Sequence, residues 1–170
     1  MKKTLTITVW AAALTLAFAP VMTHADMDNP GSKVGFRGWG PRAGVTFGPD
    51  QALFGAHMDF GNFADHIRFQ PNVDIGFSDG FTLFSANADA AYRFASNWDV
   101  WSPYLGGGIG AHHVSANNGG GNGSSTKFGA SILGGIEKGL ANGHRFFVEA
   151  KLGLADSPDM KAIVGWTFYH

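Results

Sequence analysis

The sequence contains no cysteine, which removes disulfide frameworks and thiolate metal centres from consideration. Charged residues make up only 15% of the chain and the formal net charge is −1, so nothing offers nucleic acid an electrostatic footing. Beyond Ala25 no apolar run reaches the roughly 20 residues that a membrane-crossing helix requires. What the chain has in quantity is glycine, 25 residues, and phenylalanine, 15 residues. Abundant aromatics and glycine with few charges suit sheets joined by tight turns better than helices.

The N-terminus carries an export signature. Lys2 and Lys3 precede an apolar stretch from Leu5 to Ala19 that only threonines interrupt, and Pro20 ends it. Thr23-His24-Ala25 then supplies small residues at the positions a signal peptidase reads. The stretch is short for a membrane anchor, the competing reading. Residues 1–25 are therefore expected to be a signal peptide and residues 26–32, with Pro30 and Gly31, a flexible lead-in. Residues 33–170 are expected to form one β-barrel domain.

That domain divides into segments separated by turn chemistry. The breaks fall at Gly48-Pro49-Asp50, from Gly61 to His66, at Ser78-Asp79-Gly80, from Ala95 to Pro103, from Ser115 to Thr126, at Ala141-Asn142-Gly143, and from Ala155 to Asp159. Seven breaks predict eight strands in an up-and-down meander.

Alternation within the segments assigns the faces, because successive strand residues point to opposite sides. Ile67, Phe69, Val73, Ile75 and Phe77 share one face, and Arg68, Gln70, Asn72, Asp74 and Gly76 the other. Phe146, Val148, Ala150 and Leu152 alternate with Arg145, Phe147, Glu149 and Lys151. Bulky residues crowd one parity; glycine and almost all charge share the other. A soluble ligand-binding barrel would bury the apolar parity. Here the bulk belongs outside, against lipid, and the glycine-rich polar parity suits a narrow interior. Lys138 breaks the pattern, but its place at a strand end lets it snorkel to the interface. Pro71 removes a ladder donor in mid-strand and predicts a bulge. Trp39, Trp98, Trp101, Tyr104 and Trp166 are placed for interfacial girdles.

With the signal sequence, the hairpin rhythm, the segment from Pro103 to Gly110 and the final Gly165-Trp166-Thr167-Phe168-Tyr169, the chain resembles the small outer-membrane β-barrel family, OmpA/OmpX-like and opacity-type "porin family" proteins. It departs from the family's usual aromatic ending, since His170 closes the sequence. The resemblance implies an all-β, eight-stranded antiparallel up-and-down transmembrane β-barrel in the bacterial outer membrane. It further implies a periplasmic N-terminus, surface loops including residues 115–126, and a role as a structural or surface-interacting protein. The implied partners are outer-membrane lipid, lipopolysaccharide and, during biogenesis, the outer-membrane assembly machinery. A monomer is expected, with no nucleic acid and no cofactor.

The expected polar lumen network comprises Arg42, His57, Asp59, Arg68, Asp74, Asp89, Arg93, Lys127, Glu137, Arg145, Glu149, Lys151 and Lys161. Eight strands leave a bore that side chains fill, so these residues read as packing rather than as a conduction path. A narrow channel is the first alternative. The second is a lipid-modifying enzyme, because lipid A deacylases share the architecture. Their His-x-Ser pair lies on the penultimate strand, where this chain reads Glu149-Ala150-Lys151-Leu152-Gly153-Leu154. His113 and Ser115 share a face of strand five instead, with no carboxylate beside them to orient the histidine. No catalytic role is expected. His112 and His113 are adjacent and point apart, so they cannot jointly hold a metal, and no metal site is expected. Gly106-Gly107-Gly108-Ile109-Gly110 precedes no helix and reads as close strand or side-chain approach, not as a nucleotide loop.

Overall fold

A computed structural model describes residues 33–48, 50–78, 80–95, 100–118, 121–155 and 158–169. The expected signal peptide and lead-in, and Trp98, lie outside the described residues. Eight strands follow one another: β1 (Lys33–Phe47), β2 (Gln51–Ala64), β3 (Ile67–Ser78), β4 (Phe81–Arg93), β5 (Trp101–Asn118), β6 (Gly121–Gly139), β7 (Arg145–Ala155) and β8 (Met160–Tyr169). Each pairs antiparallel with its neighbour, and β1 pairs with β8, so the sheet closes on itself. The shortest, β8, has 10 residues, enough for a tilted strand to cross a bilayer core. Closure pairs the backbone groups that an open edge would strand in hydrocarbon.

The turns obey the chemistry read from the sequence. Gly48, Gly80 and Gly143 take positive φ angles of 63°, 86° and 80°. At the β6–β7 connection, Gly143 N–H donates to Leu140 O at 2.9 Å and Asn142 Oδ1 accepts from His144 N–H at 3.2 Å. The β2–β3 turn is tighter than expected. Strand β2 continues to Ala64, and His66 takes a left-handed φ of 62°.

Pro71 coincides with the bulge it predicts. The β2–β3 register runs to His57↔Asn72 and resumes, shifted by one residue, at Asn62↔Arg68, while β3–β4 pairing is unbroken. Pro103 lies inside β5 rather than in a connection. Residues 115–126 also differ from expectation: β5 and β6 stay paired out to Asn118↔Gly121, so the expected loop is largely a projecting hairpin. A backbone ladder needs no apolar side chains, and beyond the bilayer neither face of a strand is required to be apolar.

The outer surface is apolar through its middle. Phe54, Ile75, Leu105, Ile109, Val148, Leu152 and Val164 all stand exposed there. At the end where β1 begins and β8 finishes, the terminal end, rings pack edge to face around the rim. Trp101 meets Phe146 at 6.3 Å, Phe146 meets Trp166 at 5.1 Å, and Trp39 meets Phe168 at 6.0 Å. Lys138 joins this rim with its ammonium 6.0 Å from the Trp101 ring centroid. Tyr104 does not. It points inward and is buried, because its parity on β5 is that of the inward glycines.

Candidate functional site

The lumen is where the charge collects. Arg42, Arg68, Arg145, Lys151 and Lys161 are buried, as are Asp59, Asp74, Asp89, Glu137 and Glu149, so cations and anions balance. His57 is buried with them. Of the expected network, only two residues fall outside this packed set. Arg93 is partly exposed at the terminal end and reaches Glu137 Oε1 at 3.5 Å. Lys127 is exposed, since β6 there has run past the packed interior.

The ion pairs brace strands that are not neighbours in the sheet. Near mid-barrel, Arg42 Nε on β1 lies 2.8 Å from Asp74 Oδ1 on β3, and Arg42 Nη2 donates to Oδ2 at 3.1 Å. Lys161 Nζ approaches the same Oδ2 at 3.5 Å. Lys151 Nζ on β7 donates to both oxygens of Asp89 on β4, at 2.8 and 2.7 Å. Asn72 Nδ2 also donates to Asp89 at 2.7 Å, and Asn87 Nδ2 donates to Asn72 Oδ1 at 2.9 Å. Tyr104 OH donates to Glu149 Oε2 at 3.0 Å. Such pairs offset the cost of dehydrating a charge only when partnered and hydrogen-bonded, as Lys151 with Asp89 is.

The glycines of β5 make this possible. Gly106, Gly108 and Gly110 face inward between Tyr104 and His112. A Cβ on Gly108 would sit 1.9 Å from Asp89 Oδ1, and one on Gly110 would sit 2.3 Å from Asn87 Oδ1. The expected close side-chain approach is what these glycines permit.

An apolar layer crosses the interior as well: Ala91, Tyr104, Leu133, Phe147 and Ile163. Phe147 is wholly buried and lies against Gly165, its cross-strand partner, where a Cβ would come within 2.3 Å of the ring. Phe147 and Ile163 occupy the charged parity, so alternation places them inward, but their apolar character gave no reason to single them out. Thr167 was also passed over. It accepts from Arg145 Nη2 at 2.9 Å and lies 2.8 Å from His57 Nε2.

At the terminal end, Arg68 Nη1 donates to Glu137 Oε2, and Arg145 Nη1 lies 3.5 Å from the same oxygen. Arg145 Nη1 is also 3.0 Å from Asp59 Oδ2, which accepts from Tyr169 OH at 2.9 Å. Asp59 Oδ1 takes the Gly61 N–H at 2.7 Å.

The other histidines have separate partners. His112 Nδ1 lies 2.9 Å from Ser85 Oγ in the lumen, and His113 Nδ1 lies 2.8 Å from Thr126 Oγ1 on the exposed face. Among the described residues no three histidine or carboxylate side chains cluster as a metal site.

A closed antiparallel barrel with an apolar exterior and an ion-paired interior has the architecture of a transmembrane β-barrel. Solved structures agree on the fold. Neisserial surface protein A superposes with a TM-score of 0.62 at 17% identity, over 80% of this chain and 97% of that one. The N-terminal β-barrel domain of Pseudomonas aeruginosa OprF gives 0.60 at 16% identity, over 80% of this chain and 99% of that domain. No protein-family model and no curated protein sequence matches.

Proposed function

We propose that the protein is exported with its N-terminal signal removed and resides in the bacterial outer membrane as a non-enzymatic barrel. Its role is structural or surface-interacting, and its interior conducts nothing. The observation that carries this reading is the filled lumen: buried side chains joined across the barrel, with Phe147 wholly buried in an apolar layer between the polar ones. A wetted path would have to open that layer and part buried ion pairs together. The projecting β5–β6 hairpin is the element available to meet a surface partner. Lipid and lipopolysaccharide surround a monomeric barrel, and the last strand is the part offered to the assembly machinery.

Planar-bilayer recording from the purified barrel tests the claim of closure. A flat baseline at potentials that leave the barrel folded is expected, and reproducible conductance steps would replace this reading with a narrow channel. Incubation with lipid A, followed by mass spectrometry, is expected to leave its acyl chains intact. Acyl loss abolished by Ser115→Ala would make the protein an enzyme.

A further inference from the structure

Charge within the strands of this barrel faces inward, and Lys138 departs from that rule. It is half-buried on the lipid-facing parity of β6, paired across the sheet with Trp101 on β5 and with Phe146 on β7. Those two rings meet edge to face with centroids 6.3 Å apart, and Trp166 on β8 continues the ridge 5.1 Å from Phe146. The carboxylate next to it in sequence, Glu137, points the other way into the lumen, where Arg68, Arg93 and Arg145 hold it. Among the described residues Lys138 has no ion pair; its ammonium meets only the Trp101 ring, 6.0 Å from the centroid. That is the outer limit of a cation–π attraction. The indole N–H groups of Trp101 and Trp166 likewise have no acceptor among the described residues. One same-face step along β6, Ile136 lies opposite Val148 and the apolar exterior begins. An ammonium at the edge of hydrocarbon is costly until an anion meets it.

The geometry points to a headgroup site for an anionic phospholipid at Lys138. This rests on the barrel's residence in a membrane, where the anion at the depth of the aromatic rim is the phosphate of a lipid. The ammonium offers its donors to the phosphate oxygens, and the indole N–H groups on the same ridge face the ester oxygens below them. The rings themselves lie where the acyl chains begin. Charge selects the lipid. A zwitterionic headgroup carries its own cation beside the phosphate and repels Lys138 as much as it attracts it. A headgroup of net negative charge leaves the phosphate to the lysine, so the site favours phosphatidylglycerol over phosphatidylcholine.

The test uses the full mature barrel folded into phosphatidylcholine vesicles, with folding verified by gel mobility before and after boiling. Trp39→Phe and Trp98→Phe leave Trp101 and Trp166, on the ridge itself, as its fluorescent reporters. Dibrominated phosphatidylglycerol and dibrominated phosphatidylcholine are then compared as quenchers at equal mole fraction. Stronger quenching by phosphatidylglycerol is expected, equivalent to about a fivefold preference, the worth of one lysine near an anionic lipid surface. Lys138→Met keeps the stem, removes the charge and suits a lipid-facing position, so it should fold and lose the preference. Lys138→Arg should retain it. Equal quenching by the two lipids, or a preference that survives in folded Lys138→Met, would overturn the site and leave the barrel in its membrane. Absence of quenching by either lipid would overturn the membrane reading and the site together.

Discussion

Asp89 illustrates what a buried charge demands of its neighbours. Both its oxygens are held by Lys151, one also by Asn72, and Gly108 leaves the space in which the carboxylate sits. Lys151→Met would leave that carboxylate buried with only an amide, and should cost about 3–5 kcal/mol in denaturant unfolding from lipid vesicles. Adding Asp89→Asn should recover most of the loss, since it removes the orphaned charge; a single-variant loss under 1 kcal/mol would contradict the pairing. Gly108→Ala should cost about 1–3 kcal/mol by overpacking, because Asp89 is pinned and cannot retreat. Gly107→Ala is the control. Its Cβ meets only Ser131 O, at 3.2 Å, and a much smaller change is expected. Charge and parity alone put these residues in the lumen. Their partners were not legible, because Lys151 meets Asp89 across the barrel, β7 to β4, and such contacts depend on how every intervening strand registers.

Among the strands, β7 shows most plainly how one element serves two solvents. Arg145, Phe147, Glu149 and Lys151 are buried, while Val148 and Leu152 stand exposed on the alternate parity. Val148 pairs with Ile136 and Val164, one same-face step inside the aromatic rim. Val148→Arg should therefore cost about 1–2 kcal/mol in lipid-vesicle unfolding, between the small cost of arginine at the interface and the larger cost at mid-bilayer. Phe146 sits between Trp101 and Trp166 on the rim, where depth alone adds only about 0–1 kcal/mol. Equal costs at the two positions, or none at Val148, would count against the face assignment. The same alternation made the strands legible where they cross the bilayer. It failed for residues 115–126, where glycine, serine and asparagine look like a loop while β5 and β6 remain paired by their backbones. Tyr104 was misjudged for a related reason: nearness to a strand end was read as a girdle position, when its parity already placed it inward with Gly106 and Gly108.

For the molecule as a whole, the sidedness of the sheet matters more than its strand count. An eight-stranded barrel with the opposite sidedness would be a soluble ligand binder, and turn chemistry would look the same in both. Here the exposed side chains through the middle are Phe, Leu, Ile and Val, and the buried charges balance inside. A surface of that kind is stable in hydrocarbon and aggregates in water. The most direct test of this claim is membrane fractionation of the expressed protein, followed by electrophoresis with and without boiling. Recovery in the outer membrane, with a mobility that changes on boiling, is the predicted result. A soluble periplasmic protein of unchanged mobility would contradict it, and would put the apolar parity in the lumen.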